Sequence, residues 1–310
     1  GVLGVNLIYA AYHYFENPKQ IIDSLDDGIK ANRIEIDSID FEGPYFEDAD
    51  NRIKNIHLIR SWKTRGIMFK PDGTVAVPAE MLYKKNILTI RGSFRPVTNL
   101  NVDMIEQGQN SFSELPGVDP SNTVAIAEIS LNDAHGKDEK VPGSDIVARV
   151  QLLNSLGYNV MVSDYTRYFS LRAYFRQFTQ LQIGIVMGMV NVKQIFDEKF
   201  YRGVEGGILE GFGKLFPDNT RLFIYPEMDT HGQLTEFTDV KVPEHLRFLY
   251  RHLLENGFLH GIECSDPKLF NIYSREILKQ ISNNQGDWQK DLPKGVAEEI
   301  IKHKFFGYRS

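Results

Sequence analysis

The tightest constraint on this chain is a rhythm. Between residues 86 and 225, short apolar runs of strand length alternate with stretches whose apolar residues recur every three to four positions. Strands that alternate with helices predict βα units and a largely parallel sheet covered on both faces. The runs 86–91, 123–131, 158–163, 182–189 and 221–225 read as strands. Between them, 100–105 is amphipathic, and Ser144 opens a helix with Ile146, Val147, Val150 and Leu153 on one face, stopped by Gly157. Residues 171–178 and 191–200 read as further helices. Pro71-Asp72-Gly73 between two short runs predicts a hairpin, so the sheet is not purely parallel.

Upstream, residues 4–10 read as a buried strand, Asn17-Pro18 opens a helix, and 33–41 reads as a second strand, bulged at Ser38. Together these predict a first βαβ unit. Asp50 is placed to cap a helix running to Trp62. From about Lys241 the strand signals stop, and three helical patterns follow, over 243–256, 267–281 and 293–304. The chain is therefore expected to divide into an α/β core at 1–240 and a helical C-terminal part at 241–310 packed on it. A doubly wound, three-layer sheet is the preferred architecture and a (β/α)-barrel the alternative. The connections 113–122 and 132–143 are expected to be exposed.

Composition narrows the classes of function. The chain has 310 residues, 42% of them hydrophobic, and a net charge of −6, a balance that does not favour nucleic acid or anionic membranes as partners. No run approaches the roughly 20 apolar residues of a membrane helix. The single cysteine, Cys264, allows no internal disulfide and fits a reducing, cytoplasmic setting. Opening on Gly1 with no charged segment ahead of an apolar one, the chain reads as lacking a secretory signal and as a trimmed piece of a longer protein. The eight histidines are scattered without a zinc pattern. No Ser sits in a G-x-S-x-G elbow.

In parallel α/β folds, ligands bind beyond the carboxyl ends of strands. The polar residues expected there are Tyr12 and His13; Glu35, Asp37 and Asp40; Arg91, Ser93 and Arg95; Glu128, Asn132 and Asp133; Ser163, Asp164 and Arg167; and Glu227 and Asp229. The most distinctive segment is Arg91-Gly92-Ser93-Phe94-Arg95-Pro96-Val97-Thr98, where two arginines suit a bidentate grip on phosphate or carboxylate and Gly92 allows close backbone approach. The competing reading is a tight strand-to-helix turn whose arginines pair with structural acids. The five glycines of 203–213 fit neither a dinucleotide fingerprint nor a P-loop, and read as close packing plus a loop. The aromatic stretch Tyr165, Tyr168, Phe169, Tyr174 and Phe175 reads as core and one helix face.

At residues 4–9, 82–98 and 205–210, and on to Phe306-Gly307-Tyr308-Arg309, nearly the whole chain resembles an uncharacterised bacterial family. Its members carry the labels nicotinate-nucleotide adenylyltransferase or TonB-dependent receptor. The receptor label implies a barrel of alternating strands of about ten residues, which βα periodicity contradicts. The adenylyltransferase label implies a G-x-F-x-P-x-H phosphate motif. Gly92, Phe94 and Pro96 match its first three anchors, but position 98 is Thr98 instead of His, and the motif lies some 90 residues into the chain.

The leading expectation is an enzyme acting on a small anionic, phosphorylated or nucleotide-like metabolite, with nucleotidyl transfer as its most specific form. Arg91, Gly92, Ser93, Arg95 and Arg167 would bind the substrate, and His13, Asp164 and Glu227 would be catalytic. A carboxylate-bound Mg²⁺ would leave no signature in such a sequence. The alternative is a non-catalytic scaffold or homo-oligomeric assembly protein.

Overall fold

The computed structural model describes residues 1–309 except 32, 132–140, 218 and 230. Its centre is one open eight-stranded sheet. The strands are β1 (Gly66–Phe69), β2 (Val75–Ala76), β3 (Asn86–Arg91), β4 (Thr123–Ser130), β5 (Asn159–Ser163), β6 (Ile183–Gly188), β7 (Thr220–Tyr225) and, beyond a small β8–β9 hairpin (Glu227–Met228 and Leu234–Thr235), β10 (Leu259–Gly261). They lie in the order β10-β7-β6-β3-β4-β5-β1-β2. From β5 across to β10 neighbouring strands are parallel, while β1 and β2 add an antiparallel edge. Taken in chain order, the parallel strands β5-β4-β3-β6-β7-β10 are third, second, first, fourth, fifth and sixth. This is the doubly wound order, in which the winding reverses between the first and fourth strands. The preferred architecture is therefore the observed one, and the barrel alternative is overturned, because β2 and β10 are free edges.

Successive residues of each strand feed opposite layers, as a two-residue period requires. Leu88, Ile90, Ile129, Val160, Val162, Val186 and Phe223 enter one core. There they meet α3 (Asn51–Arg60), α5 (Asn99–Ser113), α6 (Gly143–Ser155), α11 (Ser274–Asn283) and α12 (Val296–His303). Ile87, Ile126, Met161, Ile185, Met187, Leu222 and Ile224 enter the other core. On that side lie α4 (Pro78–Leu82), α7 (Tyr168–Arg176), α8 (Met189–Ile195), α9 (Gly207–Leu215) and α10 (Arg247–Glu255). Glycine lets helix and sheet approach closely at the centre. A Cβ on Gly108 of α5 would stand 2.4 Å from Val186, and one on Gly184 of β6 would stand 2.7 Å from Leu88 and Phe112.

Three expectations fail. Residues 4–10 belong to a helix, α1 (Val2–His13), in which only Ala10 is buried. A short apolar run without alternation cannot separate strand from helix, and here twelve uninterrupted residues favour the helix. The Asn6 amide fastens it, donating to the carbonyls of Leu25 and Asp27 just past α2 (Pro18–Ser24). Residues 33–41 are extended but join no sheet. Side-chain amides replace the missing ladder: Asn55 brackets the backbone N–H and C=O of Ile39, and Asn51 does the same for Phe41. The predicted first βαβ unit is thus absent. Strands also do not stop at 241, since β10 pairs with β7 in parallel. Asn17 and Asp50 do cap their helices, and α3 ends at Arg60, short of Trp62.

Candidate functional site

Because the winding reverses between β3 and β6, the loops leaving those strands diverge and open a crevice at their carboxyl ends. Strand parity decides what faces it. Arg91 shares its face with Ile87, and across the ladder it is the register partner of Glu128. Ser163, at the end of β5, falls on the same side. These three form a buried polar row on the α7–α9 side of the sheet. Arg91 donates from Nε to Glu128 Oε2 at 2.5 Å and from Nη2 to Oε1 at 3.1 Å, and its Nη1 reaches the Thr166 carbonyl at 3.5 Å. Ser163 Oγ donates to the same Glu128 carboxylate. Glu128 is fully buried and Arg91 7% exposed. Such a fork-to-fork pair is mutually satisfied, as a buried charge must be.

Above this row lies a cleft whose walls are aromatic. Tyr168, Phe169, Phe200 and Tyr201 line it together with Arg91, Arg167, Asn191 and Gln194. The Arg91 guanidinium lies 4.8 Å over the Tyr168 ring. Tyr168 Oη accepts from the Asn191 amide at 2.5 Å. Arg167 spends one N–H on the Arg202 carbonyl at 2.8 Å and lies 5.7 Å from the centre of the Phe169 ring. The enclosed volume is about 60 Å³, against the 10–15 Å³ or so that one water needs. A phosphate- or carboxylate-sized group fits the enclosed part, and a larger ligand would extend through the open mouth.

The other expected residues are dispersed. The loop after Arg91 is a structural turn: Arg95 pairs with Asp145 at 2.8 Å, and buried Arg149 holds both Asp145 and the Ser93 carbonyl. Gly92 makes room for its own neighbour, since a Cβ there would stand 2.9 Å from the Phe94 ring. Thr98 caps α5 in a reciprocal box with Asn101. The turn reading of this segment therefore holds for Gly92, Ser93 and Arg95, while Arg91 alone of them reaches the cleft. Asp164 pairs with Arg65 at 2.8 Å, and burial raises its carboxyl above the usual range against the pull of Arg65. Glu227 meets Lys193 at 3.2 Å in an exposed pair. His13 and Tyr12 stand on α1, with the His13 ring tilted against that of Tyr9, centroids 4.2 Å apart. Asp229 shapes the β8–β9 turn, accepting from the backbone of His231 and Gln233. Asn132 and Asp133 lie outside the described residues. Thus the structure brings Arg91, Glu128, Ser163 and Arg167 together and keeps His13, Arg95, Asp164 and Glu227 out of their cleft.

Tyr168, Phe169, Asn191, Gln194, Phe200 and Tyr201 were missed as site residues. For Tyr168 and Phe169 the signal was the aromatic cluster following β5, read from the sequence as core and one helix face; the other four carried none of their own. In the glycine-rich run, Gly211 admits the Tyr201 ring, which a Cβ would meet at 2.2 Å, so packing explains that glycine. Among the described residues, no three His, Cys, Asp or Glu gather as a metal site. No helix among them is long and apolar enough to cross a membrane.

The fold and its crevice define a doubly wound α/β protein. No family model matches the chain, and no curated protein does. Among solved structures, it is similar to nicotinic acid mononucleotide adenylyltransferase of Plasmodium falciparum complexed with NaAD, at 15% identity over 73% of this chain and 98% of that one, with a TM-score of 0.46. The same enzyme complexed with APC gives 15% identity, the same coverage and a TM-score of 0.44. A putative nicotinate-nucleotide adenylyltransferase from Vibrio parahaemolyticus gives 13% identity over 73% and 97% of the two chains and a TM-score of 0.34. The TonB-dependent receptor label finds no support, because the described sheet is open and mostly parallel.

Proposed function

We propose that this protein binds a small anionic, nucleotide-like metabolite in the cleft beside the β3–β6 switch point. The observation that carries the reading is the convergence there of two guanidiniums, Arg91 and Arg167, with two side-chain amides and four aromatic rings. An apolar, aromatic cleft with a few convergent polar groups is the usual form of a small-molecule site. Arg167 offers the more exposed cation. Arg91, held in place by Glu128 and the Thr166 carbonyl, contributes a fixed positive charge at the cleft wall. The rings suit the planar part of a nucleotide-like ligand.

Nucleotidyl transfer of the nicotinate-nucleotide adenylyltransferase type is the finer reaction we attach to this site. Phosphoryl chemistry of that kind depends mainly on positioning and on neutralising phosphate charge, so fixed cations matter more than a protein nucleophile. Any Mg²⁺ would arrive with the phosphates and be held by one or two carboxylates. Asp164 and Glu227 keep a proposed acid–base role only if the ligand extends past the cleft mouth to meet them.

A thermal-shift series tests the binding claim. ATP, a nicotinate-type mononucleotide and a sugar phosphate should raise Tm, and Arg167→Ala should abolish the rise without lowering the unliganded Tm. No shift with any of them would contradict it. A second reading, a non-catalytic self-associating protein, has one observation on its side: α1 exposes Val5, Ile8 and Tyr12. Light scattering that finds a stable oligomer lost in Ile8→Asp would favour it.

A further inference from the structure

Helix α3 ends in a Schellman turn: the Trp62 N–H donates to the Ile59 carbonyl and the Lys63 N–H to that of Leu58. The residue at that turn must adopt the left-handed conformation, and it is ordinarily glycine. Here it is a tryptophan, at φ +60°. Its indole gains no burial in return, being 76% exposed. A bulky side chain in a glycine position, presented to solvent, is a local cost without a packing reason.

That indole stands at the rim of a second concavity of about 760 Å³, which adjoins the switch-point cleft across Phe169. Its other walls include Tyr165, Tyr174, the Glu35 carboxylate, Arg65, which is paired with Asp164, and Lys214, which is paired with Glu210 at 2.6 Å but remains about half exposed. The Arg65 guanidinium lies over the Tyr165 ring, 4.5 Å from its centre, with its side chain half exposed. Glu35 fixes the loop that carries it, accepting from Thr64 Oγ1 at 2.7 Å and from the Arg65 N–H at 3.1 Å. Tyr174 is 96% buried (4% exposed), and its hydroxyl has no hydrogen-bond partner among the described residues. That hydroxyl is itself closed to solvent, so Tyr174 serves here only as part of the wall.

We infer that this second cleft binds a small planar aromatic anion, its ring against the Trp62 indole and its carboxylate or phosphate against Arg65 and Lys214. The strained tryptophan supplies a preset stacking plate, and the cations supply the charge. The assignment does not rest on the switch-point cleft.

Calorimetric titration tests it with AMP and 2-aminobenzoate as aromatic anions, ribose 5-phosphate as an anion without a ring, and adenosine as a ring without a charge. At least one aromatic anion should bind, and about tenfold tighter than either control, the order that base stacking on an aromatic side chain contributes. Trp62→Gly should weaken that binding by about tenfold while leaving Tm equal or raising it by up to about 3 °C, because glycine relieves the left-handed turn. Arg65→Gln should weaken it comparably. Absence of binding by both aromatic anions, equal binding of the controls, or unchanged affinity in Trp62→Gly would overturn the inference. So would a fall in Tm in Trp62→Gly, which would make the indole a packing element. Loss of binding in Arg167→Ala but not in Trp62→Gly would move the ligand to the switch-point cleft, refuting this site and sparing the other.

Discussion

Arg91 shows how one residue can serve the fold and a ligand at once. Nε and Nη2 are committed to Glu128 and Nη1 to the Thr166 carbonyl, while the residue as a whole lines the cleft. Removing its partner leaves a cation stranded among buried groups. Glu128→Ala should therefore lose about 3–5 kcal/mol in denaturant unfolding, as for other broken buried pairs, and Glu128→Gln distinctly less. Equal losses would show that charge is not what Glu128 contributes. Asp164 gives a prediction of definite sign. Burial raises its folded pKa above the ordinary 3.8, so the folded state binds its proton more tightly than the unfolded chain does. Its contribution to stability is complete below the unfolded value and is lost as pH rises through the folded one. Between about pH 4 and about pH 7, the wild-type stability minus that of Asp164→Asn should fall; a rise would show that the Arg65 pairing dominates instead. At this scale the sequence was half legible. The arginine at the strand end and the importance of residues 91–98 could be read from it. Which guanidinium faced the cleft could not, because that depends on the acids across the fold, Glu128 and Asp145.

Elements were readable where period and punctuation agreed. Strands β3 to β7 and helix α6 stand within a residue or two of their apolar patterns, α5 starts where its pattern does but runs on to Ser113, and the Pro71-Asp72-Gly73 turn joins β1 to β2 as its chemistry requires. Reading failed where local pattern was ambiguous. Residues 4–10 had no alternation to decide between strand and helix, and residues 33–41 alternate like a strand but meet two asparagine side chains and a single backbone bond, Ile36 N–H to the Lys63 carbonyl, instead of a neighbouring strand. The three-residue β10 was too short to register. The box that starts α5 offers a test with two readouts. Thr98→Ala should cost about 1 kcal/mol of stability, as lost caps do, and leave ligand affinity unchanged. A loss of affinity without loss of stability would mean that Thr98 contacts the ligand. Gly108→Ala should cost about 1–3 kcal/mol, because its methyl would press on Val186 and force α5 off the sheet.

The whole molecule is arranged so that one reversal of winding sets aside a crevice, and strand parity fills it. Arg91, Glu128 and Ser163 reach the same face because each lies an even number of residues from a side chain of the α7–α9 core. That regularity was latent in the sequence, but it could be used only once the strand order was known. Photoaffinity labelling with an azido-adenine nucleotide, followed by peptide mapping, interrogates the crevice most directly. The label is predicted on peptides carrying Tyr168, Phe200 or Tyr201, competed away by excess ATP and lost in Arg167→Ala. Labelling that is not competed, or competed labelling confined to peptides remote from these rings, would contradict a nucleotide-like ligand at the switch point.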